Sequence, residues 1–357
     1  MSYPTLEQIQ GQARAVETLD AAVASERVHH AWIFHGPSGV GKQTTARAFA
    51  GVLLDPGAGP DLSGRIRPDP EGRTRALLES GSHPDLHLIS KEMASFSREQ
   101  SVRSSKQRSI PVEVIREFLI EPAGLSTAAS NGARASKVFI VDEAHLLQAG
   151  EGAAANAVLK VLEEPPAGVV IILVTDDEHA LLPTIRSRCR RVAFGPLDEG
   201  AMKAWLKGSG VEVPRARAAD LLEYAGGSPG RLMLALDADV AGWMDRLDPL
   251  LEQAWKGRYA PELAGAMHEI VKGYAEAKAK ESSEASKDVA NRLALDLLFS
   301  LLHARVRGRV RATAGDRERS RRPLRDVEAI DTAERLVGSN ANAGLALENL
   351  ALQLSRA

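Results

Sequence analysis

The chain has 357 residues, 44% of them hydrophobic and 26% charged, with a formal net charge of −2. That length suits two or three domains rather than one core, and the near-zero charge excludes a global field drawing the protein onto nucleic acid or anionic lipid, so any such contact must be local. A single cysteine, Cys189, excludes an intramolecular disulfide and a cysteine-based zinc site.

The first residues, MSYPTLEQIQGQ, lack the basic and apolar regions of a signal peptide. No apolar run approaches ~18 residues, so a soluble, cytoplasmic chain without membrane contact is expected. Residues 5–27 carry helical spacing (Leu6, Ile9, Ala13, Val16, Leu19, Val23) behind the capping candidate Thr5. Ala31–His35 reads as a short buried strand, and a helix runs from Lys42 to about Leu54. Residues 55–81 are rich in Pro, Gly and Arg, with a helical piece near Arg75–Leu78. Asp85–Ile89 reads as a strand, 91–109 as a polar loop, and Val112–Leu119 as helix.

Lys137–Asp142 (KVFIVD) is a strong buried strand, followed by a helix through Glu164 that Pro165-Pro166 ends. Val169–Thr175 (VVIILVT) is another strand, Leu181–Ser187 is helical, and Val192–Phe194 completes the set. Apolar strands without alternation, separated by helices, imply a parallel sheet covered on both faces. After Pro196 only helical patterns remain, with one irregular segment near 312–323. The expected fold is an α/β parallel-sheet domain (1–195), a small helical domain (196–242) and a larger all-α domain (243–357).

Behind the first strand stands GPSGVGKQT, made of Gly36, Pro37, Ser38, Gly39, Val40, Gly41, Lys42, Gln43 and Thr44. Strand, glycine loop and helix in this order build an anion cradle of backbone N–H groups, with Lys42 reaching the β/γ-phosphates of a nucleotide. The hydroxyl that would ligate magnesium is missing at position 43 and arrives one residue late, at Thr44. Adjacent helical residues point about 100° apart, so Thr44 is no simple substitute. Gln43 offers a neutral amide oxygen on a longer arm, where magnesium wants hard oxygens in near-octahedral array.

At the end of the best strand, Val141–His145 (VDEAH) supplies Asp142 for magnesium and Glu143 to polarise water; the plainer reading is a helix cap and a solvated carboxylate. Thr175 ends its strand where a polar residue would lie beside a γ-phosphate. In TIRSRCRR, Arg186, Arg188, Arg190 and Arg191 crowd a short helix, where a helix C-terminus alone would attract cations. Cys189 reads as a small buried apolar residue, and His145 as structural or exposed.

GPSGVGK, VDEAH, AAANAVLKVLEEPP, SRC and GGSPGR, in this order, resemble the bacterial clamp-loader AAA+ ATPases of DNA polymerase III. GQARAVETL, GSHPDLHLI and NAGLALENLALQL extend the likeness over nearly the whole chain. The pattern is nearest the delta-prime type, with gamma/tau as close relative. The resemblance implies an AAA+ domain, a helical lid and an all-α collar, in a ring that uses ATP to open a sliding clamp and place it on primer–template DNA. It implies gamma/tau and delta subunits as partners. Arg188 becomes an arginine finger reaching a neighbour's γ-phosphate, and Arg231, in GGSPGR, the sensor arginine of the second domain. No polymerase active site is recognisable, so DNA synthesis would belong to other subunits.

The family commonly carries zinc-binding cysteines between the phosphate-loop helix and the GxHPD stretch; residues 51–80 contain none, so no zinc or other metal site is expected there. ATP and magnesium binding stay open through the backbone amides and Lys42, with Gln43 weakening the metal and disfavouring hydrolysis in cis. Three readings follow: a ring subunit that lends Arg188, a self-sufficient gamma-type ATPase, or a nucleotide-free scaffold. The segment Arg305–Arg325 holds nine arginines against Asp316 and Glu318. It reads as a solvated or subunit-contacting helix face, or as a phosphate-binding patch.

Overall fold

The structure, a computed structural model, describes residues 3–25, 28–103, 109–125, 132–148, 152–281, 287–339 and 341–356. The chain divides into two compact units, Met1–Ser209 with Gly227–Gly230, and Gly210–Gly226 with Arg231–Ala357. Among the described residues no helix is long and apolar enough to cross a membrane.

The first unit is built on five parallel strands: β1 (Ala31–His35), β2 (Leu86–Ile89), β3 (Lys137–Val141), β4 (Val169–Thr175) and β5 (Arg190–Ala193). Their order is β2-β3-β4-β1-β5. Central pairs such as Ile33 beside Leu173 and Ile140 beside Ile172 are fully buried, each side chain contributing roughly 1.5–3 kcal/mol on leaving water. Helices α1 (Ala13–Ala24), α2 (Lys42–Leu54), α3 (Ala153–Glu163) and α4 (Glu199–Ser209) belong to this unit. One core cluster joins Ile33, Phe139, Ile171, Val158 and Leu119. This is an α/β arrangement on one parallel sheet, followed in the chain by an all-α region.

The periodicity over 5–27 does not make one helix. A single turn at Leu6–Gln8 precedes α1, and residues 26–27 lie outside the described ones. The break has a tertiary cause. Gly11 takes φ +72°, where a Cβ would sit 2.6 Å from Leu197 Cγ, and buried Gln12 turns inward to bond Val40 O at 3.2 Å and Gly195 O at 2.7 Å.

The loop expected at 91–109 contains two short helical turns, Lys91–Phe96 and Gln100–Arg103, with 104–108 outside the described residues. Ser97 donating to Glu117 at 2.9 Å and Arg103 to Ser97 O at 2.7 Å organise them. The helix expected at Val112–Leu119 continues to Gly124 through a wider turn at Arg116–Ile120. β5 begins at Arg190, not Val192, because Trp32 pairs with Arg190 and its ring receives that guanidinium at 5.4 Å.

The second unit holds α5 (Ala218–Ala225), most of α6 (Pro229–Asp237), α7 (Val240–Trp255), α8 (Glu262–Glu281), α9 (Lys287–Ala312), α10 (Arg317–Gly338) and α11 (Ala343–Ser355). Leu251, Leu263, Met267, Leu298, Leu302, Leu350 and Leu354 are buried there. Arg217 and Arg305 bind Asp220 and Asp248 together, tying α5 to α7 and α9. The irregular segment shrinks to residues 313–316, where Asp316 caps α10 by accepting from Glu318 and Arg319 amides at 3.1 Å each.

Candidate functional site

Parallel strands put their C-terminal ends on one edge of the sheet, where ligands of open α/β sheets bind. β4 lies between β1 and β3, so the segments after all three meet there: Gly36–Thr44 after β1, Asp142–Glu143 after β3, and Asp176 after β4. Gly36, Gly39 and Gly41 have φ of +142°, +74° and +98°, values open to glycine but strained for other residues. At Gly36 a Cβ would also strike Phe194 O at 2.1 Å. Thr45 N bonds Gly41 O at 2.9 Å. Helix geometry therefore leaves the N–H groups of Lys42, Gln43 and Thr44 without an intrahelical acceptor, facing the place where an anion would sit.

The loop is braced from behind within the same unit. Gln12 holds Val40 O, Ser228 Oγ donates to Ser38 O at 2.9 Å, and Gly230 N donates to Gly39 O at 2.9 Å. A Cβ at Gly230 would lie 2.7 Å from Gly39 Cα. Ser228 and Gly230 thus hold the carbonyls of the glycine loop, which no local sequence pattern announces.

Lys42 is 5% exposed. Its ammonium donates to Gly36 O at 2.7 Å, Pro37 O at 2.6 Å and Asp176 Oδ1 at 2.7 Å. An ammonium has three donors, so all are occupied by the protein. The decisive partner is Asp176, which the motif reading did not include. Thr175, the residue expected beside a γ-phosphate, is 1% exposed. Its hydroxyl donates to Asp177 O at 2.8 Å and accepts from Asp177 N at 3.1 Å, with His145 Nδ1 at 3.4 Å.

Gln43 Nε2 donates to Asp142 Oδ2 at 2.9 Å, and Glu143 N donates to Asp142 Oδ1 at 2.9 Å. A carboxylate only accepts, so the amide must present its nitrogen. Where a hydroxyl and Asp142 would ligate magnesium together, a donor and an acceptor satisfy each other instead. Thr44 is exposed and Thr45 turns back to Gly41 O at 2.8 Å. Burial raises the Asp142 carboxyl above the ordinary Asp value. The Glu143 amide opposes that rise, and the negative charges of Glu143 and Asp176 add to it. Glu143 sits at φ +48°, a strained position for a residue with a side chain, and Lys91 Nζ binds its carboxylate at 2.8 Å.

Arg188 is not part of this cluster. It precedes β5, at the N-terminal edge of the sheet, whereas the loop follows the C-terminal end of β1. The five residues of β1, at ~3.3 Å each, put a strand length of roughly 16 Å between the two edges. Its guanidinium, 38% exposed, binds Glu163 Oε1 at 2.8 Å and Thr184 O at 3.0 Å. Neighbouring Cys189 packs partly buried against the core. Arg231 belongs to the second unit, with its charge felt by Tyr224 and Arg307.

The family described as "DNA polymerase III, delta subunit" matches residues 11–198 of this sequence. The chain belongs to that family. Its relatives include the DNA polymerase III subunit delta' of Pseudomonas aeruginosa, 32% identical over 203 residues, covering 56% of this chain and 53% of that protein. The delta' subunit of Bacillus subtilis is 30% identical over 192 residues, 54% and 50% of the two chains. The gamma/tau subunit of Mycobacterium tuberculosis is 29% identical over 242 residues, 67% of this chain and 37% of that one. The chain therefore spans about half the length of these two delta' relatives and less of the gamma/tau protein. The glycine loop Gly36–Thr44 and Arg188 both lie within the residues that this family matches.

Proposed function

We propose that this chain is a clamp-loader subunit of the delta' kind, which lends Arg188 to the triphosphate of a neighbouring subunit and keeps its own phosphate loop self-satisfied. In this reading gamma/tau and delta subunits are its partners. Residues 196–242 act as lid and 243–357 as collar, and the assembled ring places a sliding clamp on primer–template DNA. The observation that carries the reading is the position of Arg188. It sits on the sheet edge opposite its own loop, half-exposed and held by a surface carboxylate. A guanidinium so placed has a triphosphate within reach only across a subunit seam, where such a group accelerates phosphoryl transfer by roughly 10³–10⁵.

One observation favours a second reading, the gamma-type ATPase: Lys42, Asp142 and Glu143 converge at the strand ends as a hydrolytic site would need. Purified subunit with ATP and magnesium separates the two. Turnover by the isolated chain supports the second reading. A silent isolated chain, with DNA-stimulated turnover of the reconstituted complex abolished by Arg188→Ala, supports the first. Unchanged turnover in a fully assembled Arg188→Ala complex removes the trans finger.

A further inference from the structure

The arginine-rich segment is not one charged surface. On α9 the run RVRGRVR places Arg305, Arg307, Arg309 and Arg311 at alternate positions. At 100° per residue, Arg305 and Arg309 share one face, and Arg307 and Arg311 share a face about 200° away. The first pair is committed to the fold. Arg305 binds Asp220 at 2.9 Å and Asp248 at 2.8 Å; Arg309 pairs with buried Asp326 and lies over the Trp255 ring at 4.2 Å. Arg322, on α10, is likewise held inward, donating to Ala254 O at 2.9 Å.

Arg307 and Arg311 are exposed, the Arg311 side chain at 73%. Among the described residues the carboxylate beside them is Glu223, whose Oε1 is 3.6 Å from Arg311 Nη1 and 3.6 Å from where a Cβ on Gly308 would stand. The Arg311 pair is too long for a good hydrogen bond, and Arg307 feels the same carboxylate only through its charge. Partial desolvation, then the positive charges of Arg231 and Arg311, hold the Arg307 guanidinium below the usual arginine range, with Glu223 opposing. A second negative group at this face would be stabilised by both side chains.

We propose that Arg307 and Arg311, on the outward face of α9, form a contact for the backbone phosphates of a nucleic acid, bound without sequence preference. Guanidinium forks match phosphate oxygens bidentately. The two residues stand about 6 Å apart along the helix, enough to meet alternate phosphates on a strand whose charges recur every ~3.4 Å. Among the described residues neither guanidinium lies over an aromatic ring, so affinity comes from counterion release and falls steeply with salt. An acidic protein surface fits less well, since exposed carboxylate pairs are worth little.

The test is binding of a labelled mixed-sequence oligonucleotide to the full chain, measured from about 50 to 200 mM salt. Arg307→Ala/Arg311→Ala is expected to weaken binding roughly tenfold at the low end and to reduce the slope of log K against log salt by about 2, one per lost phosphate contact. Arg258→Ala, an exposed arginine elsewhere in the unit, should leave the slope unchanged, and helicity should be identical in all variants. Glu223→Gln, which removes the shared carboxylate, should tighten binding several-fold. No oligonucleotide binding by wild type, or an unchanged slope in the double variant, overturns the proposal. So does a double variant that keeps its oligonucleotide but no longer joins its partner subunits, which would make the face an acidic-protein contact. Displacement of the oligonucleotide by equimolar ATP would assign the face to a nucleotide and equally overturn it.

Discussion

Lys42 and Arg188 are the two cations on which a nucleotide-handling reading rests, and the molecule treats them in opposite ways. Lys42 is buried, with all three donors accepted by its own chain. Arg188 is half-exposed, holding one carboxylate and one carbonyl on the far edge of the sheet. A buried, saturated ammonium is a structural group until something displaces a partner. A guanidinium parked on an exposed carboxylate gives up little when it leaves, because such pairs contribute only about 0–1 kcal/mol. The loop lysine is thus locked inside its own unit, while the Arg188 side chain keeps a weakly held position at the surface.

The largest expected effect would break or establish that contrast. Arg188→Ala should lower ATP turnover of the assembled complex by at least about 10²-fold, given the range for such fingers, with assembly intact by size-exclusion chromatography. Lys42→Ala should alter turnover of the same complex less than about threefold, while lowering the melting temperature of the subunit. Equal losses from both substitutions would mean that this chain's own loop is a working site.

Asp176→Asn sharpens the Lys42 side. Removing a charged partner from a buried ammonium should destabilise the nucleotide-free chain by about 1–3 kcal/mol, read from denaturant unfolding. The freed ammonium should then bind ATP more tightly, so ATP should restore part of the lost stability. A variant as stable as wild type would show that the two carbonyls alone hold Lys42.

Much of this frame was legible beforehand, for identifiable reasons. KVFIV and VVIILVT are uninterrupted buried strands, and the Lys42–Leu54 helix follows from the glycine loop, so local composition determines all three. Asp176 was not legible, because an acidic residue after a strand is ordinary and its partner is 134 positions away. The same holds for Gln12 and Ser228, whose work is to hold loop carbonyls 28 and 190 positions distant. The break at Gly11 and the polar start of β5 were hidden because tertiary contacts overrode a clean periodicity and a charged sequence. In RVRGRVR the spacing contained both faces, but only the positions of Asp220, Asp248 and Asp326 say which one turns inward.

A smaller effect belongs to Gln43. If its amide nitrogen occupies Asp142 in place of magnesium, Gln43→Thr should make nucleotide binding about tenfold tighter in magnesium than in chelator, a difference of ~1.4 kcal/mol. Wild type should show little dependence on the metal. Equal affinities with and without magnesium in both proteins would contradict that role for Gln43. Asp142 supplies an independent check through pH. Its folded-state pKa is raised, chiefly by burial, so the folded chain holds more proton than the unfolded one between the ordinary Asp value and the raised one. Its contribution therefore becomes less favourable as pH rises through that window and recovers on acidification. The unfolding free energy of wild type relative to Asp142→Asn should increase as pH falls across the window and stay flat above it.

The smallest effect tests the footing of Arg188. Its neighbour Cys189 packs against the core, and burial pushes the thiol from 9.0 up to about 12. A shift of that size lowers the thiolate fraction at neutral pH by about 10³-fold, and the thiolate is the reactive form. Iodoacetamide should therefore label the native chain far more slowly than the urea-unfolded one, with no change in complex turnover during native treatment. Rapid native labelling would mean that the residue beside the finger is not anchored. The Glu163 contact would then be one of many positions of a loose segment, and the preorganisation that makes a trans arginine effective would be missing.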